Sequence, residues 1–202
     1  MTQDFVHLRM HTEFSIKDGM LNPKKVVHKA IASGMKALAI TDATAMFGDV
    51  IFYKAASAAG IKPILGGDCS ITNHYNRDDY LRLLFLARNH QGYLTLCDLL
   101  SRAWLTNQYK DRGEVDLDWI TPEMADGLIV LSGFNTGAIG KAILNGSLSA
   151  AEQEARRLSQ KFPHFFMELQ RVGRPNDEML VAESVKLAKK LGLPVVATQP
   201  IQ

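Results

Sequence analysis

Short runs rich in valine, isoleucine and leucine alternate along this chain with stretches whose apolar residues recur at helical spacing, and no other feature constrains the fold as strongly. Repeated strand and helix units of this kind pack as a largely parallel sheet with helices against it, an α/β architecture. The pattern predicts about seven strands, at residues 5–9, 37–41, 63–72, 81–87, 127–131, 165–170 and 194–198. Asn22 and Pro23 read as an N-cap and first helical position, leading a helix with Val26, Val27, Ala30 and Ile31 on one face and Gly34 as its stop. Further helices are expected at 49–59, 91–104 and 137–144. Ser149 and Glu152 have the spacing of a capping box before Ala151, Ala155, Leu158 and Phe162. Pro175 opens a last helix with Val181, Val185, Ala188 and Leu191 inward. The least periodic stretch, 106–118, reads as an exposed loop. A strand of such a fold is normally followed by a loop and a helix. Because the chain stops four residues beyond its last predicted strand, it is expected to be a piece of something longer.

No long linker or low-complexity tract divides the 202 residues, so one domain is expected. With 47% hydrophobic and 22% charged residues, disorder as the main state is excluded. The 23 basic and 21 acidic side chains leave a formal charge of +2, and the basic residues are scattered, which argues against a nucleic-acid groove made by this segment alone. No uncharged apolar window is long enough to span a membrane, and Met1 to Asp4 lack the character of a secretory leader. Cys69 and Cys97 are too few for a disulfide framework, so reduced thiols and a cytoplasmic location are expected.

In parallel α/β folds reactive groups follow the C-terminal ends of the strands. Those positions offer Arg9, His11 and Asp18, then Thr41 and Asp42, then Asp68 and Cys69, with Ser132, Glu168, Gln170 and Gln199 later and Arg82 at the start of the fourth strand. A metal hydrolase needs imidazoles and carboxylates converging on one point, and only His7 and His11 lie near a strand end. His28, His74, His90 and His164 fall on helix surfaces or turns. Gly66-Gly67 reads as a tight turn, since no Lys-Ser or Lys-Thr pair follows to make a phosphate loop. Asp116 and Asp118 could bind a divalent ion, although Asp118 also has the position of a helix cap. Ser132 lacks the preceding glycine of a nucleophile elbow, Val130 standing there, and Cys97 reads as a small hydrophobe on an apolar helix face.

The opening Phe5-Val6-His7-Leu8-Arg9-Met10-His11-Thr12-Glu13-Phe14-Ser15, with Asp18-Gly19 behind it, closely resembles the start of the alpha subunits of bacterial replicative DNA polymerase III. Ala37-Leu38-Ala39-Ile40-Thr41-Asp42, Gly60-Ile61-Lys62-Pro63-Ile64-Leu65-Gly66, Gly127-Leu128-Ile129-Val130-Leu131-Ser132-Gly133, Phe166-Met167-Glu168-Leu169, Gly173-Arg174-Pro175 and Pro194-Val195-Val196-Ala197-Thr198 follow in the same order. The resemblance covers essentially the whole chain, and the region it corresponds to is the N-terminal polymerase-and-histidinol-phosphatase (PHP) domain.

That resemblance implies a distorted seven-stranded β/α barrel, truncated at its C-terminus, with the polymerase palm, fingers and thumb absent. It also implies a site that has lost most of its roughly nine metal ligands. His11, Asp18 and Asp68 remain as vestigial positions, while Arg9, Ala43, Arg82, Phe134, Pro200 and Gln202 stand where ligands are expected. Arginine stays protonated and offers no lone pair, so Arg9 and Arg82 are expected to pair with Asp18 and Asp68 in place of a metal. No catalytic residue, cofactor or bound metal is then expected in this segment, and Mg2+ belongs to the polymerase site elsewhere in the parent. The implied role is a scaffold for the remaining polymerase domains and a dock for the proofreading exonuclease subunit, with DNA contacted through the whole polymerase and no membrane involved. The alternative is a metal-dependent phosphoesterase or 3′-exonuclease built on His11, Asp18 and Asp68.

Overall fold

A computed structural model describes residues 5–202; Met1 to Asp4, where the lack of a leader is read, lie outside the described residues. Asn22 caps α1 (Pro23–Ala32), its Oδ1 accepting from the Lys24 and Lys25 amides at 3.2 and 3.3 Å, and Val27 and Ala30 are buried. Ile31, expected on the same face, is half exposed. The chain continues through β1 (Ala37–Ala43), α2 (Asp49–Ala58), β2 (Lys62–Ile71), β3 (Leu81–Ala87) and α3 (His90–Thr106). A two-stranded ribbon, β4 (Gln108–Tyr109) and β5 (Arg112–Gly113), precedes α4 (Pro122–Asp126), β6 (Leu128–Leu131), α5 (Ala138–Leu144) and α6 (Leu148–Lys161). Then come β7 (Phe165–Leu169), α7 (Asp177–Leu191) and β8 (Val195–Ala197).

Six strands form one mixed sheet in the order β1-β2-β3-β6-β7-β8. The β1–β2, β6–β7 and β7–β8 pairs are parallel, whereas β3 runs antiparallel to both neighbours. The sheet is therefore less parallel than the helix-strand alternation suggests. Only a polar turn joins β2 to β3, and a parallel neighbour needs a long crossover that this turn cannot supply.

Residues 5–9 do not form the regular first strand that was expected. The Met10 amide donates to Thr41 Oγ1 at 2.8 Å instead of to a backbone carbonyl, which interrupts the ladder. The segment still joins the two edges of the sheet. His7 and Met10 carbonyls accept from the Ala39 and Thr41 amides of β1, and Met10 forms a parallel bridge with Ile201, just beyond β8. The curled sheet with this irregular seventh segment is a distorted barrel, joined across its gap at Ile201 and not along β8. Alternate strand residues face opposite sides: Ala39, Leu84, Leu86 and Leu131 pack together on one, while Phe85, Leu96, Leu99, Leu128 and Phe162 belong to the large core under the helices.

Several local readings change in three dimensions. Gly66 and Gly67 lie inside β2, not in a turn, and a Cβ on Gly66 would stand 2.3 Å from the Phe85 carbonyl oxygen. Residues 106–118 are not an exposed loop. Val115 is fully buried and pairs with Ile71, and the buried Glu114 is held by Arg77 and Arg112. Asp116, not Asp118, is the cap there, accepting from the Asp118 amide at 3.0 Å ahead of a single 3-10 turn. Helix α6 starts at Leu148 without a side-chain cap, which places Ser149 inside the helix instead of at its cap, and Glu152 pairs with Arg156 and Lys190. Helix α7 starts two residues after Pro175, where Asp177 accepts from the Val172 and Arg174 amides. Its buried face carries Leu180, Ser184 and Ala188, and Val185 is half exposed. Cys97 is only partly buried, while Cys69 is fully so.

Close approach explains Gly92 near the start of α3, where a Cβ would lie 1.8 Å from the Gly127 carbonyl oxygen. Gly92→Ala is expected to cost about 2–3 kcal/mol through this backbone collision. A urea midpoint within error of the parent would remove the packing argument.

Candidate functional site

One end of the barrel gathers the polar side chains. β1 and β2 are parallel and in register from Ala37 with Lys62 to Ala43 with Asp68, so the Asp68 carboxylate sits at the C-terminal end of β1. β7 brings Glu168 to the same end. β3 is antiparallel, so its beginning supplies Arg82, opposite Ser70. The irregular segment between β1 and Ile201 delivers Arg9 and His11.

Arg9 is the hub. Its Nε and Nη2 donate to the two oxygens of Glu168 at 2.9 and 3.0 Å, while Nη1 bonds Asp68 Oδ2. Asp68 Oδ2 also meets Arg82 Nη2 at 2.9 Å and His11 Nε2 at 3.1 Å. Glu168 is satisfied further by Thr198 Oγ1 at 2.6 Å, Gln170 Nε2 at 3.0 Å and the Gly133 amide at 3.1 Å. Arg9, Asp68 and Glu168 are all buried. Burial alone would raise the pKa of Asp68, but Arg9, Arg82 and His11 overcome it and hold the carboxyl well below its usual range. Burial likewise opposes the charge on Glu168, and Arg9 outweighs it. Arg9 is itself pushed above its ordinary value, the two carboxylates outweighing a burial effect that would lower it.

The other anticipated positions fall around this hub. Asp18 is bound by His11 Nδ1, 3.0 Å from each carboxylate oxygen, and has no arginine partner among the described residues; the expected pairing of an arginine with Asp18 is thereby corrected. The cause is reach: both guanidiniums are already turned inward to Asp68. Ala43 has no side-chain ligand atom, and its amide donates to Ser15 Oγ at 3.1 Å. Phe134 is a core residue. Pro200 and Gln202 line a small cavity of about 70 Å3 with Arg9, His11, Asp68 and Arg82, and Gln202 Nε2 reaches Asp18 Oδ2 at 3.5 Å. Asp42 folds the entry segment over the site by accepting from Thr12 and Ser15, at 2.6 Å from the Thr12 amide. Ser132 Oγ accepts from the Glu168 amide, and Gln199 is exposed.

Sequence reading named Glu168 as a strand-end residue but not as the partner of Arg9. One signal was available, since a carboxylate inside the apolar run Phe165–Leu169 must find a cation or strong donors when buried.

A divalent ion does not fit this donor set. Arg9 and Arg82 occupy Asp68 Oδ2, Arg9 also bonds both oxygens of Glu168, and of these four carboxylate oxygens only Asp68 Oδ1 is left without a partner. One oxygen falls short of the three or four ligands such an ion takes. At about 4 Å and an effective dielectric of about 20, each guanidinium would repel a divalent ion by roughly 8 kcal/mol.

Against known families, residues 7–172 match the PHP domain model. The chain is 46% identical to the DNA polymerase III subunit alpha of Neisseria meningitidis serogroup B over 98% of its own length, and 40% identical to that of Escherichia coli K12 over 98%. It spans only 18% and 17% of the length of these two relatives. Among solved structures, an amidohydrolase from Chromobacterium violaceum superimposes with a TM-score of 0.67 at 14% identity, covering 97% of this chain and 87% of that one. A candidate metal-dependent phosphoesterase from Bifidobacterium adolescentis gives 0.60 at 13% identity, covering 96% and 86%. At such identities these two likenesses concern the fold. No helix among the described residues is long and apolar enough to cross a membrane.

Proposed function

The chain belongs to the PHP domain family, and from that premise we propose that it is the PHP region of a DNA polymerase III alpha subunit, serving as a non-hydrolytic scaffold. In this reading it supports the polymerase domains of the same protein and docks the proofreading exonuclease subunit. The DNA-directed polymerase activity, its Mg2+ and its DNA contacts belong to the whole cytoplasmic polymerase. The observation that carries the reading is Arg9, whose guanidinium is held by Asp68 and Glu168 where the resemblance expects a metal ligand. An arginine in that place keeps the carboxylates paired and the barrel end closed without a cofactor. Identity of 40–46% over nearly the whole chain supports the assignment to this polymerase subunit.

Mixed with the proofreading exonuclease subunit at low salt, the 202-residue chain is expected to elute from a sizing column as one complex. With Mn2+ it should leave bis-p-nitrophenyl phosphate intact. Separate elution of two folded proteins would remove the docking role. Hydrolysis that disappears in Asp68→Asn would replace the scaffold with a phosphoesterase of reduced ligand set.

A further inference from the structure

Beside the barrel end, a cleft of about 760 Å3 lies between the turn after β2, the 3-10 turn that begins at Leu117, and helices α5 and α6. His74, Asp116 and Asp118 all line it, and one ligating atom from each lies within 4.8 Å of the others. The juxtaposition is built by the backbone. The Val115 amide donates to the Ser70 carbonyl at 2.8 Å and the Thr72 amide to the Val115 carbonyl at 3.0 Å, so the segments bearing His74 and Asp116 leave one bridge side by side. Arg77, in the turn that carries His74, bonds the fully buried Glu114 at 2.9 Å and pins that turn to the chain just ahead of Asp116. Much of the entropy of bringing the two loops together is therefore spent in folding.

The donor chemistry is mixed, one imidazole nitrogen and two carboxylates. Asp116 Oδ1 is occupied by the Asp118 amide, which leaves Oδ2 facing His74 Nε2 at 3.4 Å. Around a tetrahedral zinc ion with bonds of about 2.1 Å, neighbouring ligand atoms stand about 3.4 Å apart. A histidine and aspartate ion pair would account for that distance, and the 3-10 turn capped by Asp116 sets the carboxylate of Asp118 beside it. The cationic side chains lining the cleft make their ion pairs elsewhere: Arg157 with Glu154 at 2.7 Å, Lys141 with Asp79 at 2.5 Å and Arg82 with Asp68 at 2.9 Å, although the Arg157 charge is also felt by Asp118. Among the described residues no lysine or arginine forms an ion pair with Asp116 or Asp118.

We infer that His74, Asp116 and Asp118 bind a zinc ion at the rim of this cleft, with its fourth coordination position open to the cleft and separate from the Arg9 hub. The inference stands apart from the scaffold reading, which concerns the barrel end. Cobalt titration of the 202-residue chain is the test, because tetrahedral Co2+ reports its geometry by visible absorption. One Co2+ per chain is expected, displaced by Zn2+. His74→Ala and Asp118→Asn should each weaken binding by at least the roughly 10–100-fold that accompanies loss of a metal site's outer hydrogen-bond partners. Both side chains are exposed, so folding should persist, and melting curves without metal check this. Asp68→Asn and His11→Ala should leave the cobalt spectrum unchanged. No binding at 100-fold excess metal, or undiminished binding in His74→Ala, would overturn the inference. Loss of binding in Asp68→Asn alone would overturn it too, and would return metal to the barrel end against the scaffold reading.

Discussion

Arg9→Met is expected to destabilise the chain by about 3–5 kcal/mol at neutral pH, because it removes one partner of a buried ion network and strands the others. Glu168 would lose its bidentate partner, and Asp68 one of its two guanidiniums, at positions that are 1% exposed. The pH dependence identifies the mechanism. Both carboxylates have lowered pKa values in the parent, so their contribution is present above the ordinary carboxylate range and fades as pH falls through their folded values. Once stranded, the same groups resist ionisation, so the cost in the variant should be full at pH 7 and shrink as the pH falls toward about 4. Urea unfolding of parent and variant at pH 7.5 and pH 4.5 reads this directly. An equal loss at both pH values would mean that Arg9 acts through packing alone. Adding Asp68→Asn and Glu168→Gln should restore part of the loss at pH 7.5.

Asp49→Asn should have the opposite effect and stabilise the chain as the pH rises. Asp49 opens α2, is 1% exposed, and neither of its carboxylate oxygens has a hydrogen-bond partner. Burial, helped by the nearby negative charge of Asp42, pushes its pKa up to about 8. A carboxyl whose folded pKa is raised favours the protonated native state, so its contribution is complete below about pH 4 and is lost as the pH climbs through about 8. The rise from 3.8 to about 8 corresponds to a ceiling of roughly 5–6 kcal/mol at 1.36 kcal/mol per unit, of which about 2–4 kcal/mol should be recovered at pH 8.5. At pH 4 the variant and parent should be nearly equal, since both then present a neutral polar group. Parallel stability profiles across this range would show that Asp49 has a charge partner in solution.

What the sequence determined by itself was whatever depends on neighbours in the chain. The Asn22-Pro23 start of α1, the apolar runs of β1 and β3, and the inward Ala151, Ala155 and Leu158 of α6 rest on capping chemistry and periodicity within a few residues. The cationic character of the barrel end was legible for a similar reason, since an arginine cannot become a metal ligand in any surroundings. Tertiary structure alone decided which groups meet. Arg9 bonds Glu168, 159 positions further along the chain, and Asp18 takes His11 because both guanidiniums are spent on Asp68. The reversed direction of β3 places Arg82 at the same end, and the bridge from Ile71 to Val115 turns an aperiodic stretch into buried structure and sets His74 beside Asp116. Periodicity reports which face of an element is apolar, whereas long-range pairing is settled by the competition of all buried polar groups for partners, and that competition exists only once the chain has closed.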